Sequence, residues 1–386
     1  MKRFRAFLAI TMSVLLLLAC PLMSAAQDED MEGQELEIRV QQDHPGVAGY
    51  DVTYSFTVYC GTTYDKEILA VSDYTLSCAE KAIRIEGNKV TVPASFKDDT
   101  DVDGIKIYAS YKGLTTYYPL MIKNWTLTFE DNFDGNSLDP EKWLSNEGQY
   151  ATQEDLGNGI TAAPSDDAAT VEDGNLVMRI LPAEGHTVTS FGEPIDVDYI
   201  TPRVTTKTLF EQRFGLYMSS MKLPVGSAGS NSAFWLLPSS GGWGKAFFAS
   251  QRYGRNAGFS VGEIDTIEYS PAWEPTQFQI NTHWWNDLTF GKGGADYHVV
   301  VEDDALKNGQ YINVATVWTE NSIFTYYNGE LWDTVRNLEA YEGEKAFMLF
   351  TLGAAGYGDY PSWVGSFTED DLDEIVTYVD YCRAYR

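Results

Sequence analysis

Almost no stretch of this chain repeats its apolar side chains at the 3.6-residue period of a helix, which argues against every helical architecture. What recurs is a short run of β-branched and aromatic residues bounded by polar or Gly-containing turns. Up to Lys123 these runs are Leu36–Gln41, Tyr50–Tyr59, Ile83–Ile85, Lys89–Val92, Ile105–Tyr111 and Thr115–Ile122. From Trp125 onward they are Leu176–Ile180, Arg203–Thr208, Gly215–Lys222, Ser232–Leu237, Ile264–Tyr269, Phe278–His283, Tyr311–Trp318, Ser322–Tyr327, Ala346–Leu352 and Ile375–Arg383. Glu369–Asp373 is acidic and short, at most one turn of helix. The expectation is an all-β protein in two units: a small sandwich over residues 36–123 and a large antiparallel β-sandwich, or jelly roll, over residues 125–386. Sheets of the larger kind can curve and leave a concave face, a natural groove for a polymer.

The first residues are read as a targeting segment. Lys2, Arg3 and Arg5 precede an apolar run from Ala6 to Ala19, so residues 1–26 are set aside from the fold. Two processing sites compete. Leu17-Leu18-Ala19-Cys20 has the form of a bacterial lipobox, which would lipidate Cys20, whereas Ser24-Ala25-Ala26 before Gln27 suits ordinary signal-peptide cleavage. Either route exports the chain, as a cell-surface lipoprotein of the outer membrane or as a periplasmic or secreted protein. No later segment is long and apolar enough for a transmembrane helix. Residues 27–35 are acidic and nearly free of apolar groups, a linker. A formal net charge of −29 argues against nucleic acid and anionic membrane as partners. Cys60 and Cys78 fall in the small unit and are read either as a disulfide or as two small buried thiols; Cys382 is read as a core residue of the last strand.

The chemistry concentrates in Gly262-Glu263-Ile264-Asp265-Thr266-Ile267-Glu268-Tyr269. Its Ile and Thr residues favour a strand, on which Glu263 and Asp265 share one face and Glu268 points to the other. A single bulge between Asp265 and Glu268 would reverse that parity and gather all three carboxylates on one side. Two carboxylates about 5–5.5 Å apart on one surface are what retaining glycoside cleavage needs, one to attack the sugar and one to protonate the leaving oxygen. The alternative is a solvated acidic face on an edge strand.

Further motifs stand in a fixed order around that strand. Phe129-Glu130-Asp131-Asn132-Phe133-Asp134-Gly135, with Leu138-Asp139 and Lys142-Trp143, comes first, followed by Asp173-Gly174-Asn175-Leu176-Val177 and Thr201-Pro202-Arg203-Val204. Phe214-Gly215, Met221-Lys222-Leu223-Pro224 and Ala233-Phe234-Trp235-Leu236-Leu237-Pro238 precede the acidic motif, and Val379-Asp380-Tyr381-Cys382-Arg383-Ala384-Tyr385 closes the chain. Taken together, residues 125–386 resemble a glycoside hydrolase family 16 catalytic domain, of the laminarinase, agarase and carrageenase kind, with a concanavalin A-like jelly roll. The small unit resembles bacterial immunoglobulin-like modules.

The resemblance implies that Glu263 is the nucleophile and Glu268 the general acid and later base. Asp265 would sit between them, raising their proton affinity and coupling their titrations. It also implies an aromatic floor at Trp235, a residue beside the acid/base at His283, and a hydrogen-bond donor at Arg203; of Trp284 and Trp285 at most one would face the groove. No organic cofactor is required. A structural calcium would use Asn132, Gly174 and Asp380, although Asn132 stands where the family commonly has Glu. The expected partner is a polysaccharide and the expected state a monomer.

Two readings of the substrate stand side by side. Between Tyr199 and Gly262 there are seven Lys or Arg and one acid, Glu211, within a strongly acidic chain. The insert Ser239–Gly262 carries Trp243, Lys245, Arg252 and Arg255 and leads into the acidic strand, so it would wall the groove and suit a sulfated or carboxylated polymer. Ser232-Ala233-Phe234-Trp235-Leu236 also departs from the Trp-Pro-Ala pattern of many laminarin-cleaving members. A β-1,3 or mixed-linkage β-glucan is favoured over a galactan of the agar, porphyran or carrageenan type; a non-catalytic glycan-binding protein is the third reading.

Overall fold

The computed structural model describes residues 31–40, 44–96, 104–145, 154–183, 185, 187–190, 193–239, 260–285, 299–320, 322–336 and 345–386. The chain is built of strands, and the jelly roll expected beyond Trp125 is present as two large antiparallel sheets packed face to face. The first has seven strands, in the order Leu144–Ser145, Arg203–Thr205, Ala346–Ala354, Ser230–Pro238, Ser260–Tyr269, Gln277–Trp285 and Val299–Glu302. The second has eight: Ala169–Glu172, Asn175–Arg179, Val376–Tyr385, Gly215–Lys222, Ile312–Trp318, Ser322–Tyr327 and Glu330–Arg336 in order, with Leu127–Asp131 also paired to Val376–Tyr385. The acidic strand is therefore not an edge: Ser230–Pro238 and Gln277–Trp285 flank it.

Alternation explains which face meets the core. Phe234 and Leu236, Met348, Phe350 and Leu352, Ile264 and Ile267, and Phe278 and Ile280 point inward from the seven-stranded sheet, against Leu176, Met178, Tyr217, Met221, Val314 and Trp318. Fully burying each such side chain contributes about 1.5–3 kcal/mol. Two polar pairs cross or lie within this core without leaving an orphan: the hydroxyls of Thr266 and Thr316 are 2.8 Å apart, and those of Ser232 and Thr377 2.7 Å.

The opening motif holds the sandwich closed. Asp131 is buried, and its carboxylate accepts from the Trp143 indole N–H at 2.8 Å and the Phe133 backbone N–H at 2.9 Å. Trp143 in turn stacks on Phe133 and meets Phe129 edge-on. Hairpins between neighbouring strands use residues able to take positive φ: Asp173-Gly174 (φ 48° and 74°) joins Ala169–Glu172 to Asn175–Arg179, the tight turn that Asp-Gly favours.

The described residues from 35 to 120 form their own sheets, one of five strands (Glu35–Val40, Val52–Thr62, Lys89–Val92, Arg84–Glu86 and Asp65–Ile68) and one of three (Thr75–Ser77, Ile105–Tyr111, Leu114–Leu120). Tyr54, Phe56, Val58, Val90, Ile107 and Leu120 fill the space between them. Cys60 and Cys78 are free, half-buried thiols, whereas Cys382 is buried. A turn of this unit around Val47 and Tyr50 covers the outer face of the eight-stranded sheet, packing on Leu216, Met218, Val317, Phe324 and Tyr326. That contact explains why Gly215–Lys222 and Ile312–Trp318 are buried on both faces almost throughout. Among the described residues no helix is long and apolar enough to cross a membrane, which leaves strand-built spans unaddressed.

Candidate active site

The open face of the seven-stranded sheet is decided by register on both sides of the acidic strand. Against Ser230–Pro238, Ala233 pairs with Glu268 and Phe234 with Ile267, but the next residue, Trp235, pairs with Asp265. Thr266 is the residue left over. Against Gln277–Trp285, Asp265 pairs with Asn281 and Glu268 with Gln279, three residues opposed to two. A further register shift lies between Val261 and Ile264. The bulge expected between Asp265 and Glu268 is therefore in place. Because directly paired residues share a face, Asp265 and Glu268 lie on the side of Trp235 and Ala233. Ile264, Thr266, Ile267 and Tyr269 are buried in the core, while Glu263 and Glu268 remain partly open to solvent. Glu263 joins the outer face by alternation with Asp265, which is 3% exposed.

Two transverse rows of side chains complete the face. One runs Arg203, Thr351, Ala233, Glu268, Gln279; the other runs Leu349, Trp235, Asp265, Asn281. Trp235 is half-buried beside Leu237, Phe347 and Leu349, and its indole N–H donates to Thr351 Oγ1 at 3.2 Å, which fixes the ring. The Arg203 guanidinium lies 5.7 Å from the centre of that ring, close enough for a cation–π contact. Sequence reasoning thus named Glu263, Asp265, Glu268, Trp235 and Arg203 for one surface, and the fold brings them there.

Glu268 has partners that sequence reasoning missed. Asn231 Nδ2 donates to Oε1 at 3.4 Å, and Asn281 Nδ2 makes a short hydrogen bond to Oε2. Asn231 stands next to Ser232 and Asn281 two residues before His283, but nothing local in the sequence marks them as reaching the same carboxylate. The backbone of His283 and Trp284 lies on the Gln277–Trp285 strand; their side chains fall outside the described set. Trp243, Arg252 and Arg255, with residues 240–259 of the basic insert, also lie outside the described residues.

Of the expected calcium ligands, Asn132 is otherwise engaged. Asn132 Oδ1 accepts from Arg383 Nη2 at 2.9 Å, and Arg383 Nε also pairs with Glu130 at 2.8 Å. A guanidinium on that oxygen is the wrong neighbour for a hard cation. Gly174 serves the hairpin turn, and Asp380 is exposed on the last strand. Among the described residues no cluster of three or more His, Cys, Asp or Glu is arranged to hold a metal. As they stand, Asn132, Gly174 and Asp380 do not fit a divalent ion.

A two-layer antiparallel β-sandwich with three carboxylates, an indole and a guanidinium on one sheet's open face is the class of protein that fold and site define. The same fold is found in solved structures: the catalytic domain of an endo-1,3-β-glucanase (laminarinase) from Thermotoga petrophila RKU-1 aligns with a TM-score of 0.51 and 22% identity, covering 69% of this chain and 99% of that one. The endo-β-1,3-glucanase from Pyrococcus furiosus aligns with a TM-score of 0.50 and 20% identity, over 68% of this chain and 94% of the other. In sequence, the chain is 25% identical over 286 residues to glucan endo-1,3-beta-glucosidase A1 of Niallia circulans, a match covering 69% of this chain and 38% of that relative. The chain thus spans little more than a third of that relative's length. No family model matches.

Proposed function

We propose that the protein is an endo-acting, retaining β-glycosidase that hydrolyses a β-1,3 or mixed-linkage β-glucan. The bulge at Thr266 carries this reading, because it puts Glu268 on the face of Asp265 and Glu263 instead of in the core. In the first step a Glu263 carboxylate oxygen attacks the anomeric carbon; the bond from that carbon to the leaving oxygen breaks, and Glu268 gives that oxygen its proton. In the second step Glu268 takes a proton from water, the water oxygen attacks the same carbon, and the bond to Glu263 breaks. Asp265 couples the two carboxyls electrostatically from between them, and Trp235 offers a sugar ring its apolar face. The solved glucanase structures support the fold of this reading, and the Niallia circulans relative supports its choice of a glucan.

The test is incubation with laminarin, lichenan, agarose, porphyran and κ-carrageenan, with products sized and the first-formed anomer read by NMR. Oligosaccharides from laminarin or lichenan, released in the β configuration, are expected. Cutting confined to a charged galactan would favour the second substrate reading, for which Arg203 on the open face and the basic insert speak. Release of the α anomer would overturn the double displacement. Export as a surface lipoprotein or secreted protein, a monomeric state and a spacer role for the first unit belong to the same proposal. The export reading rests on the leader-like first residues, and the spacer reading on the small sandwich gathering no catalytic constellation among its described residues.

A further inference from the structure

Glu268 is gripped from both neighbouring strands. Asn231 reaches one carboxylate oxygen and Asn281 the other, each through its amide nitrogen. Asn281 is 2% exposed, so water does not compete for that bond. The Oδ1 atoms of both asparagines are buried and have no hydrogen-bond partner within the protein. Buried acceptors are nearly always satisfied, so two idle amide oxygens flanking one carboxyl call for an explanation.

The chemistry of a group that alternates between acid and base supplies one. An ionised carboxylate only accepts hydrogen bonds, whereas a carboxylic acid must also donate one. An asparagine amide suits either form. With Nδ2 toward Glu268 it serves the carboxylate, and half a turn about χ2 brings Oδ1 into the same place to receive the acid's O–H. No lysine or arginine offers that exchange, since neither carries an acceptor. We propose that Asn231 and Asn281 are positioning residues that clamp Glu268 in its groove-facing orientation through both of its protonation states. This rests on Glu268 being the acid/base.

The experiment compares two substrates. Laminarin needs its leaving oxygen protonated; a 2,4-dinitrophenyl β-laminaribioside does not, because dinitrophenolate departs unaided. Asn281→Ala is expected to lower kcat/KM on laminarin about 100-fold, within the range that general-acid catalysis supplies, and to leave kcat/KM on the aryl glycoside within about threefold. Asn231→Ala, whose hydrogen bond is longer, is expected to lose about tenfold on laminarin alone. Asn281→Asp keeps the side-chain volume but not the donor, and decides the matter if the alanine variant does not fold. Equal losses on both substrates would reduce the asparagines to a structural role, and unchanged laminarin cleavage would remove them from the reaction; either result overturns the clamp. Glu268→Gln separates this from the reading beneath it: it should lose laminarin cleavage and retain kcat/KM on the aryl glycoside. If it does not, the acid/base assignment fails before the clamp is in question.

Discussion

At the scale of single residues the site asks for different things from carboxylates of the same type. Glu263 and Glu268 stay partly open to solvent, while Asp265 is buried between Trp235 and Asn281 in the transverse row. An attacking group and a proton donor must touch substrate; a carboxylate that acts by its field need not. Glu263→Gln keeps the shape and removes the proposed nucleophile, so turnover should fall by at least about 10³-fold while oligosaccharide binding persists. Isothermal titration with a laminari-oligosaccharide alongside a rate assay measures both, and unaltered turnover would reject the assignment. These acids were legible in the sequence because their types and spacing are local. Asn231 and Asn281 were not, since they lie 37 and 13 residues from Glu268 and meet it only through strand pairing.

At the scale of elements, the bulged strand is held by what lies beneath it. Thr266, the extra residue, points into the core and shares a hydrogen bond with Thr316 of the opposite sheet. Thr266→Val strands the Thr316 hydroxyl and should cost about 1–3 kcal/mol, whereas Thr266→Val with Thr316→Val should recover most of it. Urea unfolding of the two single variants and the double variant completes the cycle. Deleting Thr266 removes the surplus residue, so strict alternation then keeps Glu263, Asp265 and Glu268 on one face while the Thr316 hydroxyl loses its partner. A second element, the Asp173-Gly174 hairpin, carries a surface pair in which Arg179 binds Glu172 at 2.7 and 2.9 Å. The Arg179 hydrogen bonds, helped by Thr170, hold the Glu172 carboxyl down at about 2. Since the folded state depresses it, the pair's stabilisation is full above the ordinary carboxylate range and is lost as pH falls toward about 2. The carboxylate is 46% exposed, so screening limits the pair to at most about 1 kcal/mol. Glu172→Gln should therefore lower Tm by only a few degrees at pH 7, with the gap closing in acid, as a calorimetric pH series would read.

At the scale of the whole molecule, the small sandwich is more than an appendage on a string. Val47 and Tyr50 pack on the outer face of the eight-stranded sheet, and His44 Nδ1 lies 3.0 Å from the Tyr326 hydroxyl. A chain beginning at Trp125 would bare Leu216, Met218, Val317 and Phe324 to water. Its expected behaviour is a lower Tm and stronger binding of a hydrophobic dye, while the site on the other sheet keeps its cleavage specificity. Equal stability of the truncated chain would show that the contact contributes nothing.

The sequence by itself determined the all-β character, the Asp-Gly turn and the identities of the three acids, because strand alternation, turn chemistry and side-chain type are all local properties. Taken as a regular strand it sent Glu268 to the wrong face; only a conditional bulge rescued it, and the motif's resemblance favoured that bulge. The tertiary structure decided that the acidic strand is central, that Thr266 is the surplus residue, that two amides converge on Glu268, and that an arginine occupies the oxygen expected to face calcium. Each of these depends on which backbone hydrogen-bonds to which across the sheet, and register between strands distant in sequence is written in no single one of them.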